Sequence, residues 1–304
     1  MISIIIIVKN DRGIENTLRR LTKIPKPEKT EIIVVDASEG NLDDIKQKFS
    51  KVRWIYFHDN AHKGYTYAEQ RNMGIKNSKG DIIVFLDSDC VPFKPQWLSE
   101  LTNEIRNGLE DIVCGKIESL RELPSRWDDS YKRIDNIKYI TSVPTGNVSF
   151  RKSLIKKIGF FNEKLELGGC EDIDFFWRAI NNGYKVKYNK EAIVIHDWGG
   201  FRKNTLRVFL YGQRRFDLFM KHKEKFLSKE NLVVSVYALF ILLSPITLFW
   251  RYYPLFLIIP ILKGIFETGS LIKALYNTYL SLVDSIAFIL RGLKTPFLKG
   301  HSTQ

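Results

Sequence analysis

Only three of the 304 residues are cysteine (Cys90, Cys114 and Cys170), and no two of them form a C-x-x-C pair. That scarcity excludes a disulfide framework and points to a reducing compartment. The common short signatures of nucleotide and hydrolase chemistry are also missing. No G-x-G-x-x-G follows a strand, which leaves a dinucleotide-binding domain without support, and no G-x-x-x-x-G-K-[ST] exists, which excludes a P-loop. Neither H-E-x-x-H nor G-x-S-x-G occurs. There is no internal repeat and no low-complexity linker. The opening MISIIIIVKN has no basic stretch before its apolar run, and the run is too short for a signal peptide. It reads as a first strand, and the N-terminal part is expected to stay in the cytoplasm. Acid is in short supply: 34 Asp and Glu face 47 Lys and Arg, a formal charge of +13. With 44% hydrophobic and 27% charged residues the composition is globular, neither disordered nor collagen-like.

What is there first is alternation. Ile2 to Val8 is a continuous apolar run, the mark of a strand buried on both faces. Ile14, Leu18 and Leu21 follow at helical spacing, and Pro25 and Pro27 end that helix. Strands are expected over Glu31–Val35, Val52–Phe57 and Ile82–Leu86, with helices over Leu42–Phe49 and Tyr67–Asn77 between them. Strand and helix in turn predict an α/β fold, a mostly parallel sheet with helices on both faces. Further on, helices are expected over Gln96–Arg106, Ser153–Ile158 and Ile173–Asn182, and strands over Ile112–Lys116, Val186–Tyr188 and Ala192–Ile195. Ligands on such sheets bind beyond the C-terminal strand ends. That directs attention to Lys9–Asn10, Asp36, His58–Asp59 and Asp87–Ser88–Asp89.

Two carboxylates one residue apart at a strand end, Asp87 and Asp89, can point into one crevice. Carboxylates suit hard cations such as Mg²⁺ and Mn²⁺, which neutralise a departing diphosphate. The plain alternative is a solvated acidic turn. Glu171 and Asp172 precede a helical stretch, where a carboxylate is either an N-cap or a base. Gly168–Gly169 before them permits close backbone approach to a ligand. His196 at a strand end is either a core histidine or a ligand to metal or phosphate. His58 and His62, four apart, sit in a loop-like context that favours no metal. Trp127, Tyr131 and Tyr139 read as core packing ahead of a sugar platform. Asn147-Val-Ser149 fits a glycosylation pattern that a cytosolic strand would never expose to the machinery.

The stretch from Gln70 to Asp89, QRNMGIKNSKGDIIVFLDSD, resembles the RNxG…GDxIxFLDSD signature of family-2 glycosyltransferases with the GT-A fold. Ile4–Asn10 and Glu31–Asp36 resemble that family's first two strands. Thr145–Phe150, Ile158–Glu163 and Gly169–Asp174 resemble its acceptor half. The similarity covers about residues 1–200. It implies that Asp36 contacts the nucleotide base with Asn10 nearby, that Asp87 touches ribose or metal, and that Asp89 ligates the metal. It also implies that His196 binds metal or diphosphate, that Arg71 stabilises phosphate or the carboxylate loop, and that Asp172 of the Glu171–Asp172 pair is the general base. Two departures leave the nucleobase open: Asp36-Ala-Ser-Glu-Gly40 replaces the usual Asp-Asp/Asn-Gly-Ser, and Lys9 stands where Val-Tyr-Asn is common.

Beyond residue 200 the chain turns basic (Arg202, Lys203, Arg207, Arg214, Arg215, Lys221, Lys223, Lys225, Lys229) and then apolar, with no charge over the 20 residues from Asn231 to Trp250. Juxtamembrane bases attract anionic lipid headgroups. Nucleic acid would attract them too, but the adjoining apolar stretch favours the membrane, and no nucleic-acid partner is expected. Arg202, six residues past His196, is also placed to reach the donor diphosphate. A stretch of about 20 apolar residues can cross a bilayer. Tyr252–Leu262 adds 11 more uncharged residues, and bases lie on both flanks. A hairpin turning near Arg251 with both ends in the cytoplasm is therefore expected. It would be followed by an amphipathic helix, with Leu271, Leu275, Tyr279, Leu282, Ile286, Ile289 and Leu293 on one face.

The expected organisation is a GT-A catalytic domain over 1–200 (donor half 1–90, acceptor half 91–200), a basic region over 201–230, and a membrane-associated helical region over 231–304. The expected activity is inverting, metal-dependent (Mn²⁺ or Mg²⁺) transfer from a nucleotide-sugar donor to a hydroxyl of a glycan or lipid-linked acceptor, at the cytoplasmic face of the cell membrane. The alternatives are transfer to a polyprenyl phosphate and, outside enzymes, a basic membrane- or RNA-binding protein on a relic scaffold. Retention of Asp36, Asp87, Asp89, Asp172 and His196 in one chain argues against the last.

Overall fold

A computed structural model of the chain describes residues 1–58, 67–120, 136–141, 143–165, 170–222, 236–238, 241 and 253–299. Asp59, His62, Trp127, Tyr131, Gly168–Gly169, the bases from Lys223 to Lys229 and nearly all of the apolar stretch 231–250 lie outside those residues. The chain divides into two compact units. The first comprises Met1–Arg121 and Ser130–Asp197; the second comprises Glu122–Asp129 and Trp198–Gln304.

The first unit is built on one sheet. Its strands are β1 (Ile2–Val8), β2 (Thr30–Asp36), β3 (Arg53–Tyr56), β4 (Ile82–Leu86), β5 (Cys90–Pro92), β6 (Ile112–Ser119), β7 (Tyr139–Ile140), β8 (Asn147–Arg151) and β9 (Val186–His196). They lie in the order β3-β2-β1-β4-β8-β6-β9-β5, with β7 beside β9. The continuous apolar runs of β1 and β4 are buried throughout except for the half-buried Ile7, because each is covered on both faces. The helices are α1 (Ile14–Lys23), α2 (Asp43–Lys48), α3 (Tyr67–Asn77), α4 (Trp97–Arg106), α5 (Leu154–Ile158) and α6 (Glu171–Asn181).

The sheet is mixed, which corrects the expectation of a mostly parallel one. β3, β2, β1 and β4 are parallel. β8 then pairs antiparallel with both β4 and β6, and β5 and β7 pair antiparallel with β9. The sequence suggested two strands across 186–195. They are one, β9, parallel to β6 with a register irregularity at Gly115/Lys116.

The topology also fixes where a ligand belongs. From β1 the chain builds outward through β2 and β3, then returns to place β4 on the other side of β1. The switch point between β1 and β4 opens a crevice at their C-terminal ends. The segments leaving those ends are Lys9–Asn10–Asp11 and Asp87–Ser88–Asp89.

The second unit contains α7 (Phe201–Lys221), α8 (Tyr253–Thr268) and α9 (Leu271–Lys299). Among the described residues no helix is long and apolar enough to cross a membrane. The second arm of the expected hairpin falls within α8, whose 16 residues extend about 24 Å, short of a hydrocarbon core of about 30 Å.

Candidate active site

The crevice is closed by polar bonds between its two lips. Ser88 Oγ donates to Asp11 Oδ2 at 2.6 Å, and Asp11 Oδ1 accepts from the Gly13 amide at 2.9 Å. Thr17 Oγ1 donates to the carbonyl of Ser88 at 2.7 Å, and the Cys90 amide closes the acidic turn on the Asp87 carbonyl. Asp87 and Asp89 are thus held by their backbone before any ligand arrives. Asp11 adds a third carboxylate at this point. Sequence reading passed it over although it follows β1 directly.

At the end of β2 the buried Asp36 carboxylate accepts from the Ser38 amide at 2.9 Å. Ser38 Oγ in turn accepts from the Asn10 amide at 2.8 Å, and Asn10 Oδ1 accepts from Asn41 Nδ2 at 2.7 Å. Asn10 adopts φ 56°, a left-handed conformation that asparagine tolerates. Asn10 and Asp36 are therefore joined through Ser38 into one polar shelf beside the crevice. Ala37, the departure from the family pattern, is buried.

β5 brings the acidic turn to His196, since Cys90 and His196 are register partners. His196 Nε2 lies 3.1 Å from Asp89 Oδ1. Ligands about 2.1 Å from an octahedral ion sit roughly 3 Å from each other, so this separation fits two ligands of one cation. Ligand atoms of Asp87, Cys90 and His196 also lie within 4.8 Å of one another. The residues present fit a divalent ion. Cys90 belongs to the cluster although its position suggested no role; the antiparallel β5–β9 pairing that turns it toward His196 has no sequence signature. Burial raises the Asp87 carboxyl above its ordinary range, with Asp89 adding to the rise and Arg71 opposing it. Gly146 is required here: a Cβ at that position would stand 2.9 Å from Asp87 Oδ2.

A second group of polar side chains is organised by α6. Cys170, at φ 61°, turns the chain into the helix, and no side chain caps it. Glu171 and Asp172 are thus not the N-cap residue but open the first turn, where Asp172 takes up one of the free helix amides. Glu171 is buried and bonded to Arg71 Nη1, and the Arg71 guanidinium is enclosed by the rings of Tyr67, Phe85 and Phe161 at 5.8–6.0 Å. Arg71, for which donor phosphate or the carboxylate loop was implied, is paired with Glu171 at the start of α6.

Asp172 Oδ1 accepts from the Ile173 amide at 2.8 Å. Its carboxyl is pushed up to about 7, first by burial and then by Glu171, against the pull of Arg71. Asp174 is fully buried and bound by Arg178 Nε at 2.9 Å, a structural place. Asn72, next to Arg71, ties α3 to the segment after α5: it donates to the Phe161 carbonyl and Glu163 and accepts from the Phe161 amide. Asn147 is buried and bonded to Trp97, Lys116 and Ala192, which closes it to glycosylation.

Asp87, Asp89, Arg71, Glu171, Asp172 and His196 thus form one electrostatic group in which a cation site adjoins a carboxyl poised near neutrality. The sequence model described as "Glycosyl transferase family 2" matches residues 3–167, which is more than half of the chain. The chain belongs to glycosyl transferase family 2. It is 28% identical over 231 residues to glycosyltransferase AglE of Haloferax volcanii, covering 72% of this chain and 74% of AglE. It is 29% identical over 241 residues to the pre-mycofactocin glycosyltransferase of Mycobacterium tuberculosis, covering 74% of this chain and 49% of that one. The fold is similar to that of the mannosyltransferase PcManGT from Pyrobaculum calidifontis, solved with GDP-Man and Mn²⁺. The TM-score is 0.64 at 15% identity, over 98% of this chain and 87% of that one. As a family-2 glycosyltransferase with a GT-A-like fold, the chain is an enzyme, and the relic-scaffold alternative falls away. Arg202 opens α7 in the second unit and is exposed.

Proposed function

We propose that this glycosyltransferase transfers a sugar, with inversion, from a nucleotide-diphosphate sugar to a hydroxyl of a membrane-associated acceptor, a lipid-linked glycan. The work is proposed to take place at the cytoplasmic face of the cell membrane and to require Mn²⁺ or Mg²⁺. The observation that carries this reading is Asp172: a carboxyl raised to about 7 within the electrostatic reach of Asp87 and Arg71. A hydroxyl is a weak nucleophile and needs a base of that strength close by. A polyprenyl phosphate, already an anion, does not, so the hydroxyl acceptor is favoured.

Asp89 and His196, with Asp87, would hold the metal, whose chemistry is to neutralise charge on the departing diphosphate. Asp36 and Asn10 would receive the nucleoside and Arg202 the diphosphate. Asp172 takes the acceptor proton, and Arg71 fixes Glu171 so that α6 presents Asp172 toward the crevice. The acceptor class rests on the basic and apolar composition after residue 200.

The test is a screen of GDP- and UDP-sugars for thermal stabilisation and hydrolysis with and without Mn²⁺ or Mg²⁺. A true donor at about 100 times its Kd should stabilise by roughly 2.7 kcal/mol. Asp89→Ala should abolish the metal-dependent turnover and keep the fold. Turnover that survives in chelator would remove the metal from the reading, and stabilisation by no nucleotide sugar would remove the donor.

A further inference from the structure

α9 packs inside out. The side of it that is buried in the second unit carries Ala274, Thr278, Ser281, Asp284, Ser285 and Ala287, small or polar residues, alongside only two large apolar ones, Leu280 and Phe288. Its partner α7 meets it closely at Gly212, where a Cβ would stand 2.3 Å from the Asp284 carbonyl. Polar bonds join the helices: Arg215 to Asp284 at 3.3 Å, Arg291 to Asp217 at 3.0 Å, and Asn204 Nδ2 to the Tyr276 hydroxyl at 2.9 Å. The hydroxyls of Thr278, Ser281 and Ser285 bond back to carbonyls of their own helix. Small residues at the contact, interhelical polar bonds and self-satisfied hydroxyls are how helices associate in hydrocarbon.

The large apolar residues lie on the other side. Leu271, Leu275, Tyr279, Ile286, Leu290 and Leu293 recur at steps of three, four and seven and are all exposed. They form a stripe 23 residues long, about 33 Å along a helix. On α8, Ile258, Ile259, Leu262 and Phe266 are exposed as well, Phe266 to 93%. A soluble helix turns such a stripe inward. Bases outnumber acids along α7, α8 and α9. Of the acids in their sequence, Asp217 and Asp284 are bonded to Arg291 and Arg215 and Glu267 is the third, while Lys203 and Lys294 are exposed.

We infer that the outward face of α8 and α9 is a lipid-contact surface, which seats the helices in the plane of a bilayer rich in anionic headgroups. The stripe lies against acyl chains and the exposed bases against headgroup phosphates. An in-plane seat also agrees with the lack, among the described residues, of a helix fit to cross. The inference rests on the membrane reading above and deepens it by naming the surface.

Cys90, Cys114 and Cys170 are all buried, so nitroxide labels can be placed singly through Leu275→Cys, Ile286→Cys and Leu293→Cys in the full chain. Each labelled protein is reconstituted into vesicles of phosphatidylcholine and phosphatidylglycerol. Collisions with oxygen are then compared with collisions with a water-soluble nickel chelate. Oxygen access well above nickel access at all three positions is expected. Nickel access above oxygen access places the stripe in water, and low access to both places it against protein, whether the chain's own 231–250 segment or a second copy; either result overturns the inference. Donor hydrolysis by the same labelled proteins is read alongside. Labels in water with turnover intact overturn the lipid surface alone, and labels in hydrocarbon without turnover of any nucleotide sugar overturn the functional reading alone.

Discussion

At the scale of single residues, Asp172 carries opposite consequences for activity and stability. Asp172→Asn is expected to lower turnover by about 10²–10⁴-fold while leaving donor affinity nearly unchanged, as read by steady-state kinetics and calorimetry. In the parent, kcat/KM should climb as pH rises through about 7, where the carboxyl loses its proton. Stability runs the other way. The folded-state value lies above the unfolded one, so burial of Asp172 costs nothing below about pH 4 and destabilises increasingly as pH rises through 7. The inactive Asn variant should therefore melt higher than the parent at about pH 8 and alike at about pH 4. The gain should be on the order of 2 kcal/mol, below the roughly 4 kcal/mol of the full shift because the side chain is partly exposed. Equal melting at both pH values would show that the carboxyl is not held in its protonated form.

Arg71 and Glu171 make the complementary case. Both are buried, and removing one leaves the other's charge uncompensated. Arg71→Met should cost about 3–5 kcal/mol, and adding Glu171→Leu should recover most of it, because an apolar pair of similar volume replaces a buried ion pair at little net cost. A double-mutant cycle by denaturant unfolding measures the coupling. A single variant as stable as the parent would mean that the pair does not hold α6.

At the scale of elements, the sheet's switch point, the acidic turn after β4 and the tight passage of β8 converge on Asp87. Gly146→Ala places a methyl 2.9 Å from Asp87 Oδ2 and 3.2 Å from Ile117 Cδ1. Asp87 must leave its rotamer, which should weaken Mn²⁺ or donor binding by roughly three- to tenfold with little loss of fold. Unchanged binding in a calorimetric titration would mean that Asp87's position is not limiting.

Residues 1–90 were the more legible part. Ile2–Val8 and Ile82–Leu86 appear in the structure with the bounds that their apolar runs suggest, because a strand buried on both faces leaves a continuous signal. Residues 91–200 were less so. β5 and β7 have three and two residues, too few for any periodicity, and the antiparallel placement of β8 depends on pairing that no local pattern encodes. The site divides likewise. The carboxylates stood out by position after strands, whereas the Arg71–Glu171 pair joins residues 100 apart, and Cys90 reaches the cation cluster only through the β5–β9 register. α9 was legible as amphipathic, but which of its faces is buried depends on what α7 presents to it.

At the scale of the whole molecule, the two units differ in what buries them. The first closes its own core: β1 and β4 are covered on both sides, and Trp97, Phe150, Phe175 and Phe176 are fully buried. The Asp36–Ser38–Asn10 shelf, the cluster that fits a divalent ion and Asp172 all belong to it. A chain ending at Asp197 should therefore fold, with a cooperative thermal transition, and bind a nucleotide sugar in the presence of Mn²⁺. The second unit leaves large apolar residues of α8 and α9 outward, so its removal should raise solubility without detergent. If that unit also brings the acceptor to the cleft, the short chain should hydrolyse donor slowly and fail on a lipid-linked acceptor, yet still glycosylate a soluble analogue at high concentration. Arg202 gives the control that separates anchoring from chemistry. Arg202→Ala in the full chain should weaken donor binding on both acceptors alike, because a diphosphate contact does not depend on where the acceptor is held. A short chain that works equally well on lipid-linked and soluble acceptors would confine the second unit to a role outside catalysis. One that binds donor more weakly than the full chain, matched by the Arg202→Ala chain, would bear out Arg202 as a donor contact, and equal donor binding in all three would remove it.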